Sequence, residues 1–84
     1  MQVHVYDTHV TTADEKHLHF DVLVDDDNKD KVQQYVLEHL ASKEITPKQI
    51  KHDRCQFCHS EIANPQVRAS IEAKGYYIIS LSEH

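Results

Sequence analysis

Two cysteines and a histidine lie within five consecutive residues, Cys55-Gln56-Phe57-Cys58-His59. Thiols separated by two residues can face one point in space, which suits a soft metal ion, a reversible disulfide or a covalently attached haem. Zinc is the first reading, because two thiolates on one turn can meet an ion at zinc–sulfur distance. A closed site needs more ligands, and the candidates are His59 itself with His52, His9 and Asp7. The chain holds no second Cys-x-x-Cys pair, so the motif supplies half of a structural zinc site.

A thiol-redox role for Cys55 and Cys58 is the alternative, with Arg54 and His59 beside the thiols. It lacks the usual support, since the next helix start falls several residues after the pair and its dipole cannot activate a thiol there. The letters also fit covalent haem attachment, but no export signal is read in the chain and a domain this small has little apolar volume for a porphyrin. Plain packing competes with all three readings, since a free cysteine behaves as a small hydrophobe, and it would make the chain an interaction module with purely structural cysteines.

The other histidines alternate along a strand pattern. His17, His19 and Asp21 share one face of the run from His17 to Val24, while Leu18, Phe20, Val22 and Val24 share the other. Val3 and Val5 against His4 and Tyr6 give a first strand from Gln2 to Val10. With Phe20, Val3 and Val5 turned to the helices, the uncovered face is expected to carry His4, Tyr6, His17, His19 and Asp21. Asp7 and His9 then share the inward parity but lie at the strand's end, where they can reach the rim. Exposed histidines of this kind are ordinarily solvated. With Tyr6 and Leu23 beside them, they predict a weak homodimer through this face that loosens below about pH 6.

Positioning these groups falls to two strands, a helix, a strand, a helix and a strand. Asp27 or Asn28 caps a helix that runs to about Ser42 on Val32, Tyr35, Val36, Leu37 and Leu40. A third strand covers Gln49 to Arg54 and delivers the chain to a cysteine-bearing turn. Asn64-Pro65 starts the second helix, and Gly75, the single glycine, ends it. Tyr76 to Leu81 is rich in β-formers and closes the fold. The expected architecture is a single α/β (α+β) domain, residues 1–84, a two-layer sandwich. It has a four-stranded mixed sheet with two helices on one face. Phe20, Val22, Val36, Leu40, Val67, Ile71 and Ile79 should share one core.

The chain resembles a family of short bacterial proteins, domain of unknown function 2024. The resemblance rests on Val5-Tyr6-Asp7-Thr8, His19-Phe20-Asp21-Val22, Cys55-Gln56-Phe57-Cys58-His59 and Gly75-Tyr76-Tyr77-Ile78-Ile79, four matches that span nearly the whole chain. It implies a four-stranded sheet with two helices, and it implies no activity, substrate or cofactor.

The bulk numbers exclude some classes. With 84 residues the chain forms one domain that buries only about 60–65% of its unfolded surface, so a bound metal or a second copy would widen its margin. A net charge of −5 with scattered Lys and Arg gives no basic stripe, and a nucleic acid is not an expected partner. Asp25-Asp26-Asp27 reads as a solvated turn without calcium-loop spacing. One glycine excludes the usual phosphate-cradling loops. No apolar run is long enough for a membrane span, and the alternating first twenty residues are not a signal peptide. The cytoplasm is therefore the expected compartment. His19 with Asp21 is set aside as an acid–base pair because no nucleophile or pocket-forming loop accompanies it. These readings point to a non-enzymatic binding domain centred on Cys55 and Cys58.

Overall fold

Two alternating runs near the start of the chain form a hairpin in the computed structural model, which describes residues 1–83. Strand β1 spans Gln2–Thr12 and strand β2 spans His17–Val24, paired antiparallel from His4↔Val24 to Thr11↔His17 without a break. Thr12 ties the turn by accepting from the Lys16 N–H at 3.0 Å, and Glu15 takes the left-handed conformation at φ 66°. A 3₁₀ turn at Lys29–Lys31 leads into helix α1, Val32–Ser42. A second 3₁₀ turn at Pro47–Gln49 opens behind a Thr46–Gln49 capping box. Strand β3 follows at Ile50–Ile62, then helix α2 at Pro65–Lys74 and strand β4 at Tyr77–Glu83.

The sheet order is β3-β1-β2-β4, and every neighbouring pair is antiparallel. The expected mixed sheet is therefore corrected to an antiparallel one. The physical reason lies in the crossover through α1. It runs from β2 past β1 to the far edge, so β2 and β3 point the same way but never touch. Helix α2 then carries the chain back from the β3 edge to the β4 edge.

The second correction concerns the helices, which lie on opposite faces. Val22, Leu23 and Val24 are consecutive and all buried, so both faces of β2 are covered at that end. Val10, Leu18, Phe20, Val22 and Val24 pack with Val32, Tyr35, Val36 and Leu40 of α1. Val3, Val5 and Leu23 pack with Val67 and Ile71 of α2. The single expected core is thus two cores separated by the sheet, and the two-layer sandwich is a helix–sheet–helix arrangement. Ile79 belongs to neither interior, being 37% exposed. Phe20 is buried as expected, at 1%.

The second helix is built as its sequence dictates. The Asn64 side chain accepts from the Val67 N–H at 2.8 Å, Pro65 occupies the first turn, and Gly75 closes the helix at φ 96°. A β-carbon at Gly75 would run into the Tyr35 hydroxyl and ring, and Tyr35 is itself held by donating to Asn28 Oδ1 at 2.8 Å. Gly75→Ala should therefore cost about 1–3 kcal/mol, from the left-handed backbone and the displaced tyrosine together. A denaturant midpoint unchanged by this substitution would contradict the packing of Tyr35 against Gly75.

Candidate functional site: a carboxylate and imidazole cluster on the open half of the sheet

Helix α2 has 10 residues and reaches only part of its face, about 15 Å of helix against strands roughly twice as long. It covers Val3, Val5 and Leu23. The same parity continues along both strands beyond its reach. There it brings Asp7, His9 and Thr11 of β1 opposite Asp21, His19 and His17 of β2. The uncovered half of this face is therefore lined by ionisable side chains.

Asp7 lies at the centre. Its Oδ1 accepts from His19 Nε2 at 2.5 Å and its Oδ2 accepts from His9 Nε2 at 3.1 Å. The His9 and His19 rings stack at 4.0 Å between centroids, 14° from parallel. His9 Nδ1 meets His17 Nε2 at 3.2 Å, and His17 Nδ1 meets the Thr11 hydroxyl at 3.3 Å. When the rings are neutral and both Nε2–H groups are given to Asp7, His9 Nδ1 accepts, so His17 donates to it and the Thr11 hydroxyl donates to His17. A continuous hydrogen-bonded chain thus joins Thr11, His17, His9, Asp7 and His19.

Asp7 and Asp21 are driven apart. The hydrogen bond from His19, with the charges of His19 and His9, holds the Asp7 carboxyl below the usual carboxylate range against its partial burial. Burial first, and the adjacent Asp7 charge second, push the Asp21 carboxyl up. An ionised Asp21 is thus a cost to the native state at neutral pH. Its folded pKa exceeds its unfolded one, so stability falls as pH rises through that window and stays reduced above it. Metal-free Asp21→Asn should melt a few degrees higher at pH 7, and the gain should be gone below about pH 4, where both states are protonated. Equal melting temperatures at pH 7 would show that Asp21 carries no such strain.

Asp7, His9 and His19 each offer a ligand atom, and these atoms lie within 4.8 Å of one another. Among the described residues they are the only set of three or more His, Cys, Asp or Glu side chains so gathered. A carboxylate and two imidazoles suit a borderline divalent ion such as zinc.

The cysteine motif is placed differently from its expected turn. Strand β3 runs through it, with a bulge where Val5↔His59 gives way to Tyr6↔Phe57 and Cys58 is left over. Cys55 is half-buried opposite Thr8, whose hydroxyl donates to its sulfur at 3.4 Å. Burial pushes the Cys55 thiol up, away from thiolate. Cys58 is exposed, 3.3 Å from Nδ1 of His59, whose Nε2 meets Glu61 at 3.4 Å. Cys55, Cys58 and His59 are not brought into one cluster of ligand atoms. His52 is exposed on β3 opposite Thr11. Of the extra ligands named from the sequence, His9 and Asp7 do come together, with His19 as the third.

The expected open-face set is corrected in the same way. His17, His19 and Asp21 are on it with Asp7 and His9, whereas His4 and Tyr6 lie on the α1 face of β1. His4 there bridges Ser60 at 2.8 Å and Asp26 at 2.5 Å, and Tyr6 meets the Phe57 ring edge-on. Leu23 is 1% exposed, covered by α2, so the sticky patch expected here loses its leucine and its tyrosine.

The chain is thus a helix–sheet–helix α+β domain with an open, histidine-rich half-face. The sequence pattern of the family described as Domain of unknown function (DUF2024) matches residues 1–81, and the chain belongs to that family. It is similar to protein NE1680 from Nitrosomonas europaea, solved by NMR, with 35% identity and a TM-score of 0.73. That match covers 96% of this chain and 95% of NE1680. Among curated proteins, none matches. Among the described residues, no helix is long and apolar enough to cross a membrane.

Proposed function

We propose that this domain binds a divalent transition metal ion, zinc or its neighbours, through Asp7, His9 and His19. The observation that carries the reading is the convergence of one carboxylate and two imidazoles, with ligand atoms within 4.8 Å, on two adjacent strands of fixed register. A metal-bound imidazole ordinarily gives its other N–H to a second group, which fixes its ring and tautomer. His17 stands ready for that role at Nδ1 of His9, and Thr11 stands behind it. Binding through His9 Nε2 would reverse the hydrogen-bonded chain. His9 Nδ1–H would donate to His17, and His17 Nδ1–H to Thr11. No proton need leave the chain of neutral rings.

The cysteines support this reading less well than these residues do. Three residues of strand separate their α-carbons by roughly 8–10 Å even with a bulge, beyond disulfide reach. Redox cycling of the pair would have to break the β1–β3 ladder. Thiols that cannot close on each other suit the cytoplasm, which we propose as the compartment. Calorimetric titration of untagged protein with zinc should show one site per chain, unchanged in the Cys55→Ser/Cys58→Ser double variant. An absence of binding, or its loss in the double variant, would defeat the proposal.

A further inference from the structure

We infer that the metal site has a ligand of its own, a small oxyanion held between the ion and the Arg54 guanidinium; this rests on the reading of Asp7, His9 and His19 as metal ligands. Arg54 is the cross-strand partner of His9, and Gln56 is that of Asp7, so both β3 side chains rise on the same face as the cluster. Arg54 Nη2 donates to Gln56 Oε1 at 2.7 Å, which lays the guanidinium along the strand beside the site. Among the described residues no carboxylate lies within ion-pair distance of Arg54, so most of its donors remain for a ligand.

The ion's coordination points the same way. Three protein ligands leave at least one position of a tetrahedral ion, and more of a larger shell, on the solvent side, because the strands close the other side. A divalent ion on a single carboxylate keeps a net positive charge, and Arg54 adds another across β1. On the far side stands Asp21, opposite Asp7 on β2, which repels an anion from that direction. The attractive ground therefore lies over β1 and toward β3, between ion and guanidinium. A planar fork of N–H donors facing a cation fits a carboxylate or a phosphate, with one oxygen on each.

The test uses full-length protein loaded with cobalt(II), whose visible spectrum reports changes in its own ligands. Oxalate and inorganic phosphate are titrated separately. The expected result is a saturable spectral change with at least one of them. Arg54→Gln should leave cobalt bound at least as tightly, since it removes a like charge near the ion, and weaken the anion about ten-fold or more, as loss of a charge-assisted pair implies. Arg54→Lys should recover part of that loss. A response to oxalate alone assigns carboxylates, and a response to both assigns oxyanions generally. Cobalt binding with no anion response, or a response indifferent to Arg54→Gln, overturns this inference and leaves the metal site standing. Failure to bind cobalt at all overturns both.

Discussion

Phe20→Ala should lower the stability of this domain by about 3–5 kcal/mol, a large share of what so short a chain possesses. The ring is 1% exposed, pairs across the hairpin with Thr8 and meets the His39 ring at 4.7 Å between centroids. Its removal opens a cavity under α1 that the sheet cannot fill. The loss should also be independent of the other layer. Val67→Ala acts under α2, on the far side of the sheet, and the two losses should add within about 0.5 kcal/mol. Urea unfolding of the two single variants and the double variant measures this. Strong coupling would mean that both helices share one core after all.

His19→Ala should reduce zinc affinity by a factor of about 100 or more, since even hydrogen-bond partners of metal ligands are worth 10–100-fold. Asp7→Asn should do at least as much, because it removes the one anionic ligand of the set. His17→Gln, which removes a partner of His9 Nδ1 and no proposed ligand, should cost less, within about 10–100-fold. Zinc should raise the melting temperature of the native chain and leave that of His19→Ala where it was, because binding to the native state alone adds to folding free energy. Calorimetry and thermal melts with and without chelator provide both readouts. Equal zinc affinity in His19→Ala would remove that residue from the site.

The same residues show how far the sequence could be read. The hairpin, the α1 periodicity and the Asn64-Pro65 to Gly75 helix were legible because each carries a local signal: alternation, three- and four-residue spacing, a cap and a left-handed stop. Strand β3 was legible only in its first residues. It is an edge strand, mostly exposed, and its register breaks opposite Thr11/Thr12 and again opposite Val5/Tyr6, so no alternation survives along it. The cysteine motif falls where that period is lost, which is why its strand geometry read as a turn.

The open face was half legible. Alternation puts His17, His19 and Asp21 on one side of β2, and they lie there. By alternation Asp7 and His9 share the inward parity of the apolar Val3 and Val5 and reach the open side only at the rim. That inference assumes that one face of β1 has one environment along its whole length. In fact α2 covers Val3 and Val5 and ends short of Asp7, so one face is interior at one end and open at the other. The signal for this was Val22-Leu23-Val24, three apolar residues in a row, which demand cover on both faces. Once both faces are covered at that end, Asp7-x-His9 and His17-x-His19 fall on the uncovered remainder and meet across the hairpin.

Metal bound at Asp7, His9 and His19 would be seen at the imidazole nitrogens themselves. A long-range nitrogen–proton correlation spectrum, recorded as zinc is added to one equivalent, resolves Nδ1 and Nε2 of each histidine. Nε2 of His9 and Nε2 of His19 should shift together and saturate at one ion per chain. His17 should change tautomer with them, while His52 and His59 stay where they were. Shifts centred on His59, with the cysteine β-carbons moving alongside, would place the metal at Cys55 and Cys58 and contradict the site described here.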